Sequence, residues 1–132
     1  GTDTAAANAL DDYEEGTFTL SASGGGSSFT STVSRYIKIG RVVHIFLQLD
    51  SFSGGSSSTD LVLNGLPFTS SSSNNSAAVI HTNKPLISNG AIFQIAGNTS
   101  SANVRTQFAS DGIKQSNFNG YGISLNATYV AG

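Results

Sequence analysis

The chain predicts an all-β fold, a two-sheet antiparallel β-sandwich of jelly-roll type. Three observations carry that expectation. The longest apolar-rich run, Arg35 to Asp50, is dense in β-branched and aromatic residues and is interrupted only by Gly40-Arg41. Elsewhere Val, Ile, Leu, Phe and Tyr recur in short alternating runs between Gly, Ser, Thr and Asn. That is the pattern of half-buried strands joined by polar turns. Helical periodicity is nowhere sustained beyond about two turns. An open barrel is the alternative closure. The lack of a strict internal repeat argues against a solenoid or propeller.

Taken in order, Thr2 to Asp12 is small and Ala-rich, suited to a short helix or an extended linker. Asp11-Asp12-Tyr13-Glu14-Glu15 holds half the acidic residues of the chain and reads as a solvated lead-in. Residues 1–15 are therefore assigned to an N-terminal linker or entry segment, and residues 16–132 to the β-sandwich domain. Gly16 opens a strand from Thr17 to Ala22, with Phe18, Leu20 and Ala22 on one face. Ser23 to Ser28 is a Gly/Ser loop, and Phe29 to Ser34 leads into the hairpin. Gly at the first central position of Gly40-Arg41 suits a two-residue type II′ turn. Such a turn sets Ile39 opposite Val42, Ile37 opposite His44 and Arg35 opposite Phe46, all on one face. The other face carries Tyr36, Lys38, Val43, Ile45, Leu47 and Leu49. Both faces are partly apolar. One packs on the domain's own core, and the second needs either more of this chain or a neighbouring subunit.

Ser51 to Ser58 is a second Gly/Ser loop. A short strand at Leu61-Val62-Leu63 ends at the turn signal Asn64-Gly65. Leu66-Pro67-Phe68 runs extended, because the residue before proline avoids the helical region. Thr69 to Ser76 is a polar, mobile loop by composition. Ala77 to Thr82 and Ala91 to Ala96 read as strands, with a loop containing Lys84-Pro85 between them. Ala102, Val104, Thr106 and Phe108 alternate with Asn103, Arg105 and Gln107. The final strand sets Tyr121, Ile123, Leu125, Ala127 and Tyr129 against Ser124, Asn126 and Thr128. The total is about eight short strands. Phe18, Leu20, Ile45, Leu47, Val104, Phe108, Ile123 and Leu125 are the expected core.

At 132 residues the chain fits one domain, which buries roughly 68–70% of its unfolded surface. Charged residues make up 11% and the net charge is −2, so no basic patch points to nucleic acid. No run approaches the ~18 apolar residues of a membrane span. Cysteine is absent, which excludes disulfides and thiolate metal sites. His44 and His81 lie in predicted strands without the local spacing of a histidine metal site. No Gly-x-Ser-x-Gly elbow exposes a nucleophile. The clustered acids do not straddle a cleft as glycoside cleavage requires. Asp50, Asp60 and Asp111 border polar loops but lack the spacing of a calcium loop. The residues describe a binding or structural module, not an enzyme, with no cofactor and no metal.

The stretch Gln115 to Tyr121 joins amide side chains to two aromatics. Amides suit sugar hydroxyls, and a ring suits the apolar face of a pyranose. Asn117, Phe118, Asn119 and Tyr121 are the candidate ligand-binding residues. In the alternative, Phe118 tucks into the core and the asparagines make turns. The site then moves to the Ser70–Asn75 loop or to a groove between subunits.

Four segments carry a resemblance: Leu10-Asp11-Asp12-Tyr13-Glu14-Glu15-Gly16-Thr17-Phe18-Thr19, Arg35-Tyr36-Ile37-Lys38-Ile39-Gly40, Gly65-Leu66-Pro67-Phe68-Thr69 and Asn126-Ala127-Thr128-Tyr129-Val130. In this order and spacing the chain resembles the C-terminal domains of bacteriophage tail fibres and tailspikes, notably of marine phages. Leu20, Ile37 and Arg41 depart from that family's frequent Pro, Thr and Asn, so receptor identity does not transfer. The resemblance implies a homotrimeric, extracellular tip domain of the virion, joined to an upstream fibre or spike segment. It also implies binding to a host cell-surface polysaccharide or other receptor, with Leu10 and the Ala-rich segment near the three-fold axis. A purely structural trimer cap or capsid decoration protein, and a carbohydrate-binding appendage of a depolymerase, are the alternatives.

Overall fold

A computed structural model describes residues 12–85, 90–107 and 111–132 of the chain. The expectations for Leu10, the Ala-rich segment and Phe108 lie outside the described residues. Among the described residues ten strands form two five-stranded antiparallel sheets, the expected all-β sandwich. The first sheet runs β1 (Tyr13–Thr17), β3 (Ser28–Ile39), β4 (Val42–Ser53), β10 (Ile123–Val130) and β7 (His81–Thr82). The second runs β2 (Ser21–Ala22), β5 (Val62–Asn64), β9 (Ser101–Arg105), β8 (Ile92–Ile95) and β6 (Ser76–Val79).

The core lies between the sheets and follows from period-two alternation. Val43, Ile45, Leu47 and Leu49 of β4 and Ile123, Leu125, Ala127 and Tyr129 of β10 point inward. They meet Leu63 of β5, Phe93 and Ile95 of β8, and Ala102 and Val104 of β9. Each fully buried Leu, Ile or Phe contributes about 1.5–3 kcal/mol. Six of the expected core residues, Leu20, Ile45, Leu47, Val104, Ile123 and Leu125, are buried. Phe18 is a correction: it is half-buried at the margin, against Tyr36 with ring centroids 6.5 Å apart. The reason is that the expected strand from Thr17 to Ala22 is broken. β1 ends at Thr17 and β2 belongs to the opposite sheet, so Phe18 sits where the chain crosses between layers. The first strand also begins at Tyr13, which places residues 13–15 in the sheet against Ile37–Ile39.

The β3–β4 hairpin has the expected register, with Ile39 opposite Val42, Ile37 opposite His44 and Arg35 opposite Phe46. Gly40 takes φ +58° while Arg41 does not adopt positive φ, as a type II′ turn requires. Further along, two irregularities offset each other. One extra residue in β4 falls at Ser51, whose φ is +58°, and one in β3 falls at Thr32. A bulge shifts which side chains point inward. After Leu49 the next buried residue of β4 is accordingly Phe52. The expected strand Ala77 to Thr82 changes sheets at Ile80: β6 pairs with β8, and β7 pairs with β10.

Thr69 to Ser76, read as a mobile polar loop, is instead tied into the sandwich. Ser70 Oγ donates to the carbonyl of Ala96 at 2.6 Å. Asn74 Nδ2 donates to the carbonyl of Ile95 at 2.8 Å, and its Oδ1 accepts the Val130 amide at 3.0 Å. One buried amide side chain thus links a strand of each sheet.

Candidate functional site

The candidate loop at residues 117–121 turns out to be largely a structural clamp. Residues Gln115–Phe118 form a 3₁₀ turn, and the ring of Phe118 is fully buried, 5.9 Å from that of Phe52. A ring in that position offers nothing to a sugar. Asn119 holds the second Gly/Ser loop by both ends of its amide: Oδ1 accepts the Gly55 N–H at 2.9 Å and Nδ2 donates to the Gly55 carbonyl at 3.1 Å. Gln115, fully buried, holds the first Gly/Ser loop, accepting from Ser27 N–H and donating to the carbonyls of Ser23 and Gly24. Only Asn117, exposed, and Tyr121, half-buried beneath Lys84 Nζ at 5.2 Å from its ring centroid, remain open to a ligand. Phe118 and Asn119 are therefore withdrawn as ligand-binding residues.

What sequence reasoning left undivided is the outward face of the first sheet. The pairing register stacks its side chains in rows across β1, β3, β4 and β10. The row nearest the hairpin turn is Tyr13, Ile39, Val42 and Val130, all apolar and 42%, 54%, 40% and 38% exposed. Next come Glu15, Ile37, His44 and Thr128, then Thr17, Arg35, Phe46 and Asn126. The fourth row, Val33, Gln48, Ser124 and His81 of β7, is mostly polar. Asp50 follows at the far end. Rows lie two residues apart along a strand, so Val42 and Asp50 are separated by about 27 Å. The face grades from an apolar end to a polar end, and among the described residues nothing covers it.

Open grooves run along this face. One of about 570 Å³ is floored by Phe46 and bordered by Val33, Val79 and Asn126. Another of about 310 Å³ lies between Gln48, Asp50, His81, Asn83 and Ser124. The two share the lining residues Gln48, His81 and Ser124, and so lie side by side. His44 Nδ1 is bonded to Thr128 Oγ1 at 2.8 Å and His81 Nδ1 to Ser124 Oγ at 3.4 Å, so each imidazole is oriented by a neighbouring hydroxyl. At the apolar end Tyr13 donates to Glu15 at 2.6 Å, and this bond, which only the protonated phenol can make, raises its pKa.

Elsewhere Asp60 pairs with Lys114 at 2.5 Å, both side chains 46% exposed, a surface pair of small energetic weight. Among the described residues no three His, Cys, Asp or Glu side chains gather as a metal site, and no helix is long and apolar enough to cross a membrane. Comparisons with protein-family models, curated proteins and solved structures find no match for this chain.

Proposed function

We propose that this chain is the homotrimeric tip domain of a bacteriophage tail fibre or tailspike, which stabilises the trimer and binds a glycan on the host surface. The observation that carries the reading is the uncovered row Tyr13, Ile39, Val42 and Val130. Four apolar side chains aligned across four strands form one exposed patch, and such a patch often marks an interaction site. Asp12, the first of the described residues, lies at the same end, its carbonyl accepting the Gly40 amide at 3.1 Å. Three copies meeting there bury the patch and bring their Asp12 residues toward one axis, as an upstream fibre segment requires. A closed three-fold ring satisfies every copy equally. Low net charge lets identical surfaces meet without strong repulsion.

Light scattering on the purified protein tests the proposal. A mass of three chains at micromolar concentration is expected. A stable monomer removes the support for a fibre tip, and a two-fold dimer favours face-to-face packing of a different kind of protein.

A further inference from the structure

We infer that the polar end of the outward face, centred on Asp50, is a binding site for an uncharged sugar, and that it selects against anionic saccharides; this rests on the glycan-binding reading above. The two offsetting bulges of the hairpin fall beside this spot. Bulges gather near functional sites, where they re-aim side chains. Here the bulged Thr32 turns its hydroxyl onto Asp50 Oδ2 at 2.5 Å, and Gln48 Nε2 donates to the same oxygen at 3.2 Å. Asp50 is thus held in place through one oxygen only. Its Oδ1 lies where a side chain at residue 122 would stand: a Cβ there would come within 2.7 Å of it. Gly122 leaves that room. The same glycine donates its N–H to Asn83 Oδ1 at 2.8 Å and accepts from Thr82 Oγ1 at 2.7 Å, fixing the other wall.

The residues lining this groove then carry four polar atoms with no hydrogen-bond partner among the described residues: Asp50 Oδ1, Gln48 Oε1, Asn83 Nδ2 and His81 Nε2. Together they include strong acceptors, an amide donor and an imidazole nitrogen that serves as either. Vicinal hydroxyls, which both donate and accept, match such a set. A bare cation does not, since a lone carboxylate among amides supplies too few anionic ligands. No cation pairs with Asp50 among the described residues. An acidic sugar would therefore bring its charge against an uncompensated carboxylate. Phe46 lies on the same face of β4, two residues before Gln48, and so about 7 Å along the strand. Its half-buried ring offers the flat apolar surface on which a sugar ring rests beside its hydrogen-bonding groups.

The test uses the intact protein, with its oligomeric mass checked for every variant, on an array of neutral, amino and uronic-acid glycans. Wild type is expected to bind neutral glycans and to reject uronates. Asp50→Asn and Gln48→Ala, both surface changes, should weaken neutral binding at least tenfold. Asp50→Asn should also narrow the discrimination against uronates. Neutral-glycan binding that survives Asp50→Asn and Gln48→Ala but falls with Asn117→Ala overturns this site while leaving the receptor reading standing. Preference for amino sugars or uronates overturns the assigned ligand class. An intact trimer that binds no glycan overturns both this inference and the glycan-binding reading, and leaves the structural-cap alternative.

Discussion

Tyr129 is buried at the inner end of β10, with its hydroxyl donating to the Phe68 carbonyl at 2.9 Å and accepting the Phe68 amide at 3.2 Å. Burial pushes its pKa from the usual 10.0 up to about 12, because the phenolate would lose its water. The folded form therefore holds this proton more tightly than the unfolded form does. Stability from Tyr129 is complete below pH 10 and is lost as pH rises from about 10 to about 12. Urea unfolding at pH 8 and pH 11 should show that loss in wild type. Tyr129→Phe should be weaker at pH 8 by about 1–2 kcal/mol, for want of its hydrogen bonds, but should lose less between the two pH values. An equal loss in both proteins would place the alkaline sensitivity elsewhere. The inward direction of Tyr129 was legible, because the alternation from Ile123 onward leaves one consistent apolar face. The roles of Gln115 and Asn119 were not. Their partners lie in Gly/Ser loops that are 91 and 64 residues away for Gly24 and Gly55. An amide that satisfies a distant backbone looks, in sequence, like an amide awaiting a ligand. That Phe118 tucks into the core was the alternative the sequence offered; its partner Phe52, from the far end of β4, was what the sequence could not name.

At the scale of elements, the hairpin was the most legible part, because one glycine at the turn determines the pairing of every residue up to the first bulge. The bulges themselves carry no composition signal: Thr32 and Ser51 are ordinary strand and loop residues, and each extra residue offsets the other. Their consequence, the aim of Thr32 and Asp50, was hidden with them. The segment Thr69 to Ser76 shows the opposite failure, in which polar composition was read as exposure. Asn74 supplies two hydrogen bonds to backbone groups of different sheets, and those groups have no water to turn to once it is removed. Asn74→Ala should therefore lower the unfolding free energy by about 1–3 kcal/mol. Its exposed neighbour serves as the control: Asn75→Ala should stay within about 0.5 kcal/mol. Denaturant midpoints of the two variants decide it, and equal small changes would mean that the segment is not a tie between the sheets.

For the molecule as a whole, the outward face of the first sheet has two ends with different chemistry. The apolar row lies where Asp12 bonds to the hairpin turn, and the groove around Asp50 lies about 27 Å away. An association surface and a ligand surface can therefore coexist on one sheet without competing. The two-faced hairpin was visible in the sequence as an excess of apolar residues, but the division between its ends needed the register of β1 and β10 beside it. If the apolar row is a subunit interface, folding and association are coupled, and stability must depend on protein concentration. The melting temperature of wild type should rise across a hundredfold increase in concentration. Ile39→Asp combined with Val42→Asp puts two charges into the row at positions that are 54% and 40% exposed in the single chain. The two carboxylates stand opposite each other across the turn, which costs a lone domain about 0.2–1 kcal/mol, too little to unfold it. The double variant should therefore stay folded, scatter as a monomer and melt at a temperature independent of concentration. A wild type whose melting temperature does not move with concentration would show that the row is not buried between copies. A double variant that still associates would place the interface on another face of the sandwich.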